Sequence, residues 1–463
     1  MKLFIEKSLQ KNDGSHLTQY LAAISASLTF FMFGGYQGWT APSLVKLLSD
    51  EYPIPISQED ASIVATIGCL GHVIGGFLGS SLSDLIGRKT TIMSIGIPQI
   101  ISPTLVYFSD SSKYMLYAAR IVGGIGEGAN IAIVGSYIAE IVVPKVRGIL
   151  GGFTTIFICL GMLTVNVTGS YLTIKETSLV MALFPVIFWI CFMFMPESPY
   201  YYLMKNKPEK AKESLKILRR KHDIEKEFDQ LTLDVQRQML ARGGFRDLFC
   251  IPINRQVLIL VTLLRFFQFY TGYMAFTAYM QLMIVQTTNL SPVFGSSLLF
   301  LAGILVMIPG LFYIDKIGRR TLFLISMVLC FAALISMAVF LTIRDYSTID
   351  LSSVSYMPLI FVTLYNIFFC GGLGLGVNIY IAEVYPANIK ASGLAIASIV
   401  YAFTVTSSTK IYQFTADYVG ASVPFYIFAG TTVLGVIYIY CFVPETKGKT
   451  LGMIQNELRN RRK

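Results

Sequence analysis

The sequence predicts an all-α membrane protein with twelve transmembrane helices. Of its 463 residues, 54% are hydrophobic and 14% are charged, whereas an ordinary soluble domain has about 25% charged residues. Apolar runs of about 20 residues recur along the chain, and a run of that length crosses the hydrocarbon core as a helix. Short alternating segments typical of a membrane barrel are missing from the sequence. The composition therefore excludes a soluble enzyme and a disordered chain.

Twelve apolar runs define the predicted spans in order. They cover residues 17–37, 61–83, 90–108, 114–139, 148–172, 178–195, 257–282, 292–314, 321–343, 356–381, 391–417 and 423–443. Residues 196–255 form the one long polar stretch and divide the chain evenly. We therefore expect a six-helix bundle in residues 1–195, a second one in 256–443, and a tail in 444–463. Apolar stripes within the linker predict short amphipathic helices there.

Most of the 37 Lys and Arg residues lie before the first span, in the even-numbered connections and in the tail. The positive-inside rule places that side, with both termini, in the cytoplasm. The net charge of +10 is thus a topology signal, and no nucleic-acid partner is expected. The first apolar run is a full span without a small-residue cleavage site, which predicts an anchor and not a removable signal.

Neither catalytic residues nor a cofactor is predicted. The seven cysteines show no metal-ligand spacing and no disulfide framework. A Gly-x4-Gly-Lys-Ser/Thr segment does not occur in the sequence, so ATP is not expected to drive this protein.

Three landmarks of the first half return in the same order in the second half. Gly-x4-Asp-x2-Gly-Arg joins the second and third spans and again the eighth and ninth. Tyr-Ile-Ala-Glu ends the fourth and tenth spans, with a cation seven residues later. Pro-Glu closes the sixth and twelfth spans. Such internal repeats are typical of transporters and predict two pseudo-symmetric bundles.

The charged members of these landmarks predict a gating network on the cytoplasmic side of each half. Its Arg residues are expected to reach the Tyr-Ile-Ala-Glu carboxylates, and its Asp residues to face helix N-termini. We expect this network to hold one orientation of the two halves and to separate in the other. The network consists of Asp84, Arg88, Glu140, Arg147, Glu197, Asp315, Arg319, Glu383, Lys390 and Glu445.

These landmarks, together with Arg120-Ile-Val-Gly-Gly, Pro196-Glu-Ser-Pro and Pro444-Glu-Thr-Lys-Gly-Lys-Thr-Leu, resemble the sugar porter family of the major facilitator superfamily. The stretch Gly38-Trp-Thr-Ala-Pro-Ser-Leu44 resembles the insect trehalose-transporter-like branch of that family. The resemblance implies two six-helix bundles around a central substrate cavity, which opens alternately to the two sides of the membrane.

Several positions at which the resemblance implies sugar binding differ in this chain. The seventh-span pattern Gln-Gln-x-x-Gly-x-Asn keeps Gln268, while the tenth span lacks the family's prolines and its aromatic platform. The differing positions are Phe269 and Met274 in the seventh span, Thr155 in the fifth, Gly303 in the eighth and Asn378 in the tenth. Each amide lost from a dry pocket costs about 1–3 kcal/mol, so the usual hexose pose is not expected.

Arg265 stands where the family usually has Gln, on one face of the seventh span with Gln268 and Tyr279. An Arg at membrane depth indicates a functional site, and we expect it to contact an anionic or strongly polar substrate. The alternative is a structural role, in which Arg265 pairs with a buried carboxylate such as Glu127 or reaches toward the cytoplasm. The predicted substrate-binding residues are Gln268, Arg265, Tyr279, Asn378, Gln37 and Thr155.

Arg120 matches the family's fourth-span Arg, whose partner in proton-coupled members is a first-span Asp. The equivalent position here is Gln37, so proton coupling lacks its usual titrating group. Glu127 is the candidate substitute, and a structural role beside a buried cation is its alternative. Arg120 and Glu127 are therefore the predicted coupling residues.

The sequence predicts a monomeric, facilitative uniporter of the plasma membrane that moves a small polar solute, a sugar such as trehalose or glucose, by alternating access. A proton-coupled symporter of a sugar or organic solute is the first alternative. A non-transporting sugar receptor is the second, and we expect such a receptor to carry a larger cytoplasmic extension than residues 444–463.

Overall fold

A computed structural model describes residues 16–50, 52–221, 223–240, 245–348, 352–385, 389–449, 453–454 and 457–458. These residues form helices joined by short connections, with no β-strand among them. Eleven segments in the described ranges are long and apolar enough to cross a membrane. The predicted all-α membrane fold is confirmed.

The first six spans make up the N-terminal half. In order they are Leu17–Gly38 with Thr40–Leu47, Gln58–Thr66 with Gly68–Ile86, Arg88–Tyr107, Lys113–Ile141, Pro144–Tyr171 and Ile174–Phe192. The third span is the one outside the eleven apolar segments, and it contains two prolines. It packs against the fourth and sixth spans and completes the first bundle.

The last six spans make up the C-terminal half. In order they are Pro252–Phe269 with Tyr273–Thr287, Pro292–Ile317, Arg319–Tyr346, Met357–Phe369 with Cys370–Gly374 and Leu375–Val384, Lys390–Tyr418 and Val423–Phe442. Short 3-10 turns at Ser109–Ser111 and Ser352–Val354 lie in two of the connections.

The described residues of the linker form four helices on one side of the molecule. They are Pro199–Met204, Pro208–Arg219, Glu225–Leu240 and Phe245–Cys250. The Gln19 side chain of the first span connects the linker to the N-terminal half. Its Nε2 donates to the Leu218 carbonyl of the linker at 3.3 Å, and its Oε1 accepts from the Val143 N–H at 3.0 Å. We call the side of the molecule that carries these four helices the linker side, and the opposite side the outer side.

Two spans of the C-terminal half are irregular near the middle of the membrane, which the sequence pattern does not predict. The seventh breaks after Phe269, and Gly272 adopts φ +94°. A side chain at that position would be strained, and its Cβ would lie 2.6 Å from Phe428. The tenth span contains a π-helical turn at Cys370–Gly374. Such turns are frequent at functional sites.

The second and fourth spans are in close contact, as their regularly spaced glycines suggest. A Cβ at Gly71 or Gly75 would overlap the backbone carbonyl of Ile121 or Ile125. Small residues permit this approach of helix backbones in a membrane. These glycines therefore hold the first bundle together.

Three pairs of spans make most of the described contacts between the two halves: the first with the seventh, the second with the eleventh, and the fifth with the eighth. In the repeat, each span of the first half corresponds to the span six places later in the second half. The first–seventh pair therefore corresponds to itself, and the second–eleventh pair corresponds to the fifth–eighth pair. This is the contact pattern of a pseudo-twofold axis between related bundles. The fold therefore preserves the repeat seen in the sequence.

Candidate transport pathway between the two halves

A buried hydrogen-bond network joins the halves on the outer side. Asn166 of the fifth span donates through Nδ2 to the Ser296 hydroxyl of the eighth span at 2.9 Å. Gln281 of the seventh span donates through Nε2 to Asn166 Oδ1 at 3.0 Å and to the Ser170 hydroxyl at 2.7 Å. Asn166, Gln281 and Ser296 are all buried. We call Asn166, Ser170, Gln281 and Ser296 the outer closure.

A second outer contact joins the second and eleventh spans. Gln413 donates through Nε2 to the Gln58 carbonyl at 3.0 Å. Tyr279, a predicted substrate-binding residue, stacks on Tyr412 of the eleventh span with ring centroids 5.4 Å apart. It lies beyond the helix break, about 20 Å along the span from Arg265 at ~1.5 Å per residue. The structure thus places Tyr279 at the outer contact and not beside Arg265.

Near the midplane, three predicted substrate-binding residues of the C-terminal half meet. Arg265 donates to Gln268 Oε1 at 2.9 Å and to Asn378 Oδ1 at 2.5 Å. Gln268 in turn donates to the Leu373 carbonyl of the π-helical turn at 2.9 Å. Asn378 is exposed and Arg265 is half-buried. The guanidinium is therefore held by the seventh and tenth spans and does not pair with Glu127.

The facing residues of the N-terminal half are Gln37 and Glu127. Gln37 Nε2 lies 3.0 Å and 3.3 Å from the two carboxylate oxygens of Glu127, and 3.4 Å from the Tyr401 hydroxyl of the eleventh span. Glu127 is only 3% exposed. The Tyr401 ring also packs on His72 at 4.7 Å and on Phe269 at 5.0 Å. Tyr401 thus links the polar groups of the two halves.

Arg120 lies inside the N-terminal half, within electrostatic reach of Glu127, but its hydrogen bonds go to other residues. Its guanidinium donates to the carbonyls of Val64 and Tyr36 at 3.0 Å and 2.9 Å, and to the Thr40 hydroxyl at 3.1 Å. It also sits over the Tyr36 ring, 3.8 Å from the centroid. All of these partners are neutral, so Arg120 ties the first, second and fourth spans together without a carboxylate.

At the remaining positions that differ from the family pattern, the side chains or the space around them are in contact with other parts of the protein. Met274 packs with Phe269 and Tyr401, and Thr155 is half-buried on the fifth span. At Gly303, an added Cβ would lie 3.1 Å from the Nδ2 of Asn366 in the tenth span. At the position where the family has an eighth-span Asn, the nearest amide in this protein therefore comes from the tenth span.

On the linker side, Arg88 organises the network of the N-terminal half. Its guanidinium pairs with Glu140 at 3.2 Å and Asp84 at 3.3 Å. The Glu197 carboxylate accepts the backbone N–H groups of Arg88 and Lys89, each at 3.0 Å. These contacts join the second, third and fourth spans to the segment that follows the sixth.

The C-terminal half repeats this arrangement. Arg319 pairs with Glu383 at 2.8 Å, and the Glu445 carboxylate accepts the backbone N–H groups of Arg319 and Arg320 at 2.8 Å and 3.0 Å. Thr446 donates to Glu383 at 2.6 Å, and Ser198 makes the equivalent bond to Glu140.

In both networks, the bonds between described residues lie within one half. The side chains of Arg147, Asp315 and Lys390 lie outside the described part of the chain. The described contacts therefore connect the spans within each half, and the expectation that these residues also hold the halves to each other stays a prediction.

Glu197 caps the third span in a partly desolvated position. Burial raises the pKa of its carboxyl above the ordinary value, while the backbone N–H groups of Lys89, Ser198 and Arg88 act in the opposite direction. Gly87, at φ +101°, lets the carboxylate approach the backbone, because a Cβ there would overlap it. Gly318 serves Glu445 in the same way at φ +99°.

A sequence model of the family described as "Sugar (and other) transporter" matches residues 19–458. The chain belongs to the sugar transporter family. This is a family of membrane transporters and not of enzymes, and the chain is a multi-pass membrane protein.

Relatives in this family include facilitated trehalose transporters of insects. The protein Tret1 of Bombyx mori is 29% identical over 448 residues, covering 95% of this chain and 87% of its own length. Tret1 of Drosophila willistoni is 29% identical over 463 residues, covering 96% of this chain and 51% of its own length. The chain thus spans about half the length of that relative.

The fold matches solved structures of the xylose transporter XylE from E. coli. Its partially occluded inward-open conformation aligns with a TM-score of 0.77 and 18% identity, over 94% of this chain and 99% of that one. At this identity the likeness concerns the fold alone, and it agrees with the two-bundle architecture of a major facilitator.

Sequence reasoning missed the outer closure and the contacts of Tyr401. Asn166 and Gln281 lie among other polar residues of their spans, and no repeat or motif marks them. Ser198 and Thr446, by contrast, follow the repeated Pro-Glu pairs, and that recurrence could have identified them as network members.

Proposed function

We propose that this sugar transporter family member is a facilitative transporter that carries a small polar solute, a sugar such as trehalose or glucose, down its gradient. The observation that carries the proposal is a pair of related halves with polar groups facing each other. Arg265 bonds to Asn378 in one half, and Gln37 of the other half lies 3.4 Å from the Tyr401 hydroxyl. The names of the insect relatives support the solute class.

Transport proceeds by alternating access, in which the outer closure separates while the linker side closes. The networks around Arg88 and Arg319 keep each half intact during this motion. The bonds of the outer closure are between neutral groups, and each contributes only about 0.5–1.5 kcal/mol net. A few such bonds bias the equilibrium without locking it.

We also propose that the transporter is a monomer of the plasma membrane, with both termini and the linker in the cytoplasm. The excess of Lys and Arg on the linker side supports this orientation. The solute and the surrounding bilayer are its expected partners.

Counterflow in proteoliposomes tests the transport activity. Vesicles that contain the full chain and are loaded with unlabelled trehalose or glucose should transiently accumulate the labelled sugar, whereas protein-free vesicles should not. A receptor that binds sugar without carrying it would show binding but no accumulation. Absence of counterflow with every polyhydroxylated solute tested would contradict the proposal.

A proton-coupled symporter is a second candidate, and Glu127 is the observation that favours it. Its carboxyl group is buried, and its hydrogen bonds among the described residues come from the neutral Gln37 amide. An acid in such a position can gain or lose a proton with the state of the transporter.

Glu127→Gln separates the two candidates because it keeps the size and the hydrogen bond while removing the titrating group. Under a uniport mechanism, an imposed pH gradient does not change solute uptake by the original chain or by the variant. Concentrative uptake that follows the gradient, and that Glu127→Gln abolishes while counterflow persists, would establish proton coupling.

A further inference from the structure

Arg265 presents hydrogen-bond donors that no described carboxylate engages. Its two side-chain bonds go to the neutral amides of Gln268 and Asn378. A guanidinium has five N–H donors, so about three remain for a ligand. A cation at membrane depth with neutral partners keeps its full capacity to attract an anion.

Gln268 is positioned so that it holds Arg265 and does not face the pathway. It is 3% exposed, and its Nε2 donates to the Leu373 carbonyl at 2.9 Å. This bond orients the amide with its oxygen towards Arg265. The residue that the family resemblance assigns to sugar is thus engaged on both sides within the protein.

The groups around Arg265 are also mainly donors. The Asn378 side chain is exposed and its oxygen accepts from Arg265, which leaves its NH2 group for a ligand. Tyr385 lies within electrostatic reach of Arg265, is 3% exposed, and has a hydroxyl without a hydrogen-bond partner among the described residues. The free N–H groups of Arg265 and the Asn378 NH2 group can only donate, which favours a group that only accepts, such as an ionised carboxylate.

The opposite face has a different chemistry. Gln37 and the Tyr401 hydroxyl can exchange hydrogen bonds with alcohol groups, and the acidic Glu127 behind Gln37 disfavours a second anion there. A solute that spans both faces would place its carboxylate at Arg265 and its hydroxyls at Gln37 and Tyr401.

We infer that the central site prefers a sugar acid, with its carboxylate bound by Arg265, over a neutral sugar. The inference rests on the proposed function and specifies the substrate class of the same site. The solute class is then a hexuronate or a similar polyhydroxylated carboxylate.

Competition counterflow with the full chain tests this preference, with D-glucuronate, D-glucose and trehalose as probes. Glucuronate should inhibit exchange at a concentration about tenfold below that of glucose, as expected for a charge-assisted bond. Arg265→Gln should remove this advantage, so that glucuronate and glucose inhibit the remaining exchange at similar concentrations, and Arg265→Lys should retain part of the advantage. Arg344→Gln is the matched control, because Arg344 lies at the outer end of the ninth span and pairs with Asp345 at 2.8 Å.

The outcomes distinguish the inference from the proposed function. Exchange of glucose or trehalose without competition by glucuronate would overturn the inference and leave the proposed function intact. Absence of exchange with any of the three solutes would overturn both. If Arg265→Gln fails to fold, Asn378→Leu provides the second test, and an unchanged ratio of glucuronate to glucose affinity in that variant would contradict the inference.

Discussion

The Glu197 carboxylate accepts N–H groups from the first turn of the third span and from Ser198. Carboxylates at helix N-termini are favoured by the helix dipole, and their bonds to N–H groups are charge-assisted. The residue lies in the segment after the sixth span, so the cap connects that segment to the third span. Glu445 has the same role in the other half.

Replacing Glu197 with Gln should destabilise the protein by about 1–2 kcal/mol, because the amide has one acceptor oxygen in place of two for three backbone N–H groups and turns its NH2 group towards them. Thermal unfolding of the purified transporter in detergent would measure the loss. Glu213→Gln is the control, since Glu213 is exposed on a linker helix. A variant at Glu197 as stable as the control would show that the carboxylate charge contributes nothing to this cap.

The contacts of Arg265 illustrate what residue spacing can and cannot predict. The interval of three residues places Arg265 and Gln268 on one helix face, and the sequence was sufficient to predict that placement but not their bond. The third member, Asn378, comes from a span that begins about a hundred residues later, and its approach depends on how the tenth span is bent. Spacing along one helix carries no information on that distance.

At the scale of single elements, hydropathy was sufficient to locate the spans. The predicted residues 423–443 correspond to Val423–Phe442, and the predicted 114–139 correspond to Lys113–Ile141. The break in the seventh span was not predicted, because Phe269, Tyr270 and Thr271 continue the apolar run and only Gly272 marks the change. Backbone direction within an apolar run is set by tertiary packing, which hydropathy does not report.

The seventh-span break supports the central site, and Gly272→Ala tests its importance. A positive φ costs an L-residue about 1–2 kcal/mol, and the added Cβ would lie 2.6 Å from Phe428. We expect a lower unfolding temperature and counterflow reduced about tenfold or more. The control Gly430→Ala should leave both unchanged, because no atom lies within 4 Å of a Cβ at that position.

Normal counterflow by Gly272→Ala would contradict this expectation and would show that the seventh span functions as well when its backbone is forced to relax. A fall in stability without a fall in counterflow would separate the two effects and assign Gly272 to folding alone.

At the scale of the whole molecule, the repeat predicted two related bundles, and the pairing of their spans agrees with a pseudo-twofold axis. The sequence did not predict where the halves bond to each other. Charged landmarks drew attention to the linker side, but their described contacts lie within each half. The bonds of the outer closure use Asn, Gln and Ser residues, which are too common in spans to be recognised before their burial and partners are known.

The central claim is that the halves rock about the midplane site and that the outer closure biases this motion towards the outer-closed state. Removing Asn166 and Gln281 together should weaken that state by about 1–3 kcal/mol, since their mutual bond and their bonds to Ser170 and Ser296 are lost. A shift of that size changes the ratio of two conformations about five- to a hundredfold.

The most direct test is a pulsed electron–electron distance measurement between spin labels at Tyr114 and Tyr346, which are exposed near the outer ends of the fourth and ninth spans, one in each half. The original chain should show mainly a short outer distance, and Asn166→Leu with Gln281→Leu should transfer population to a longer one. A distance distribution that does not change in the double variant, in a protein that remains folded and active in counterflow, would contradict the account.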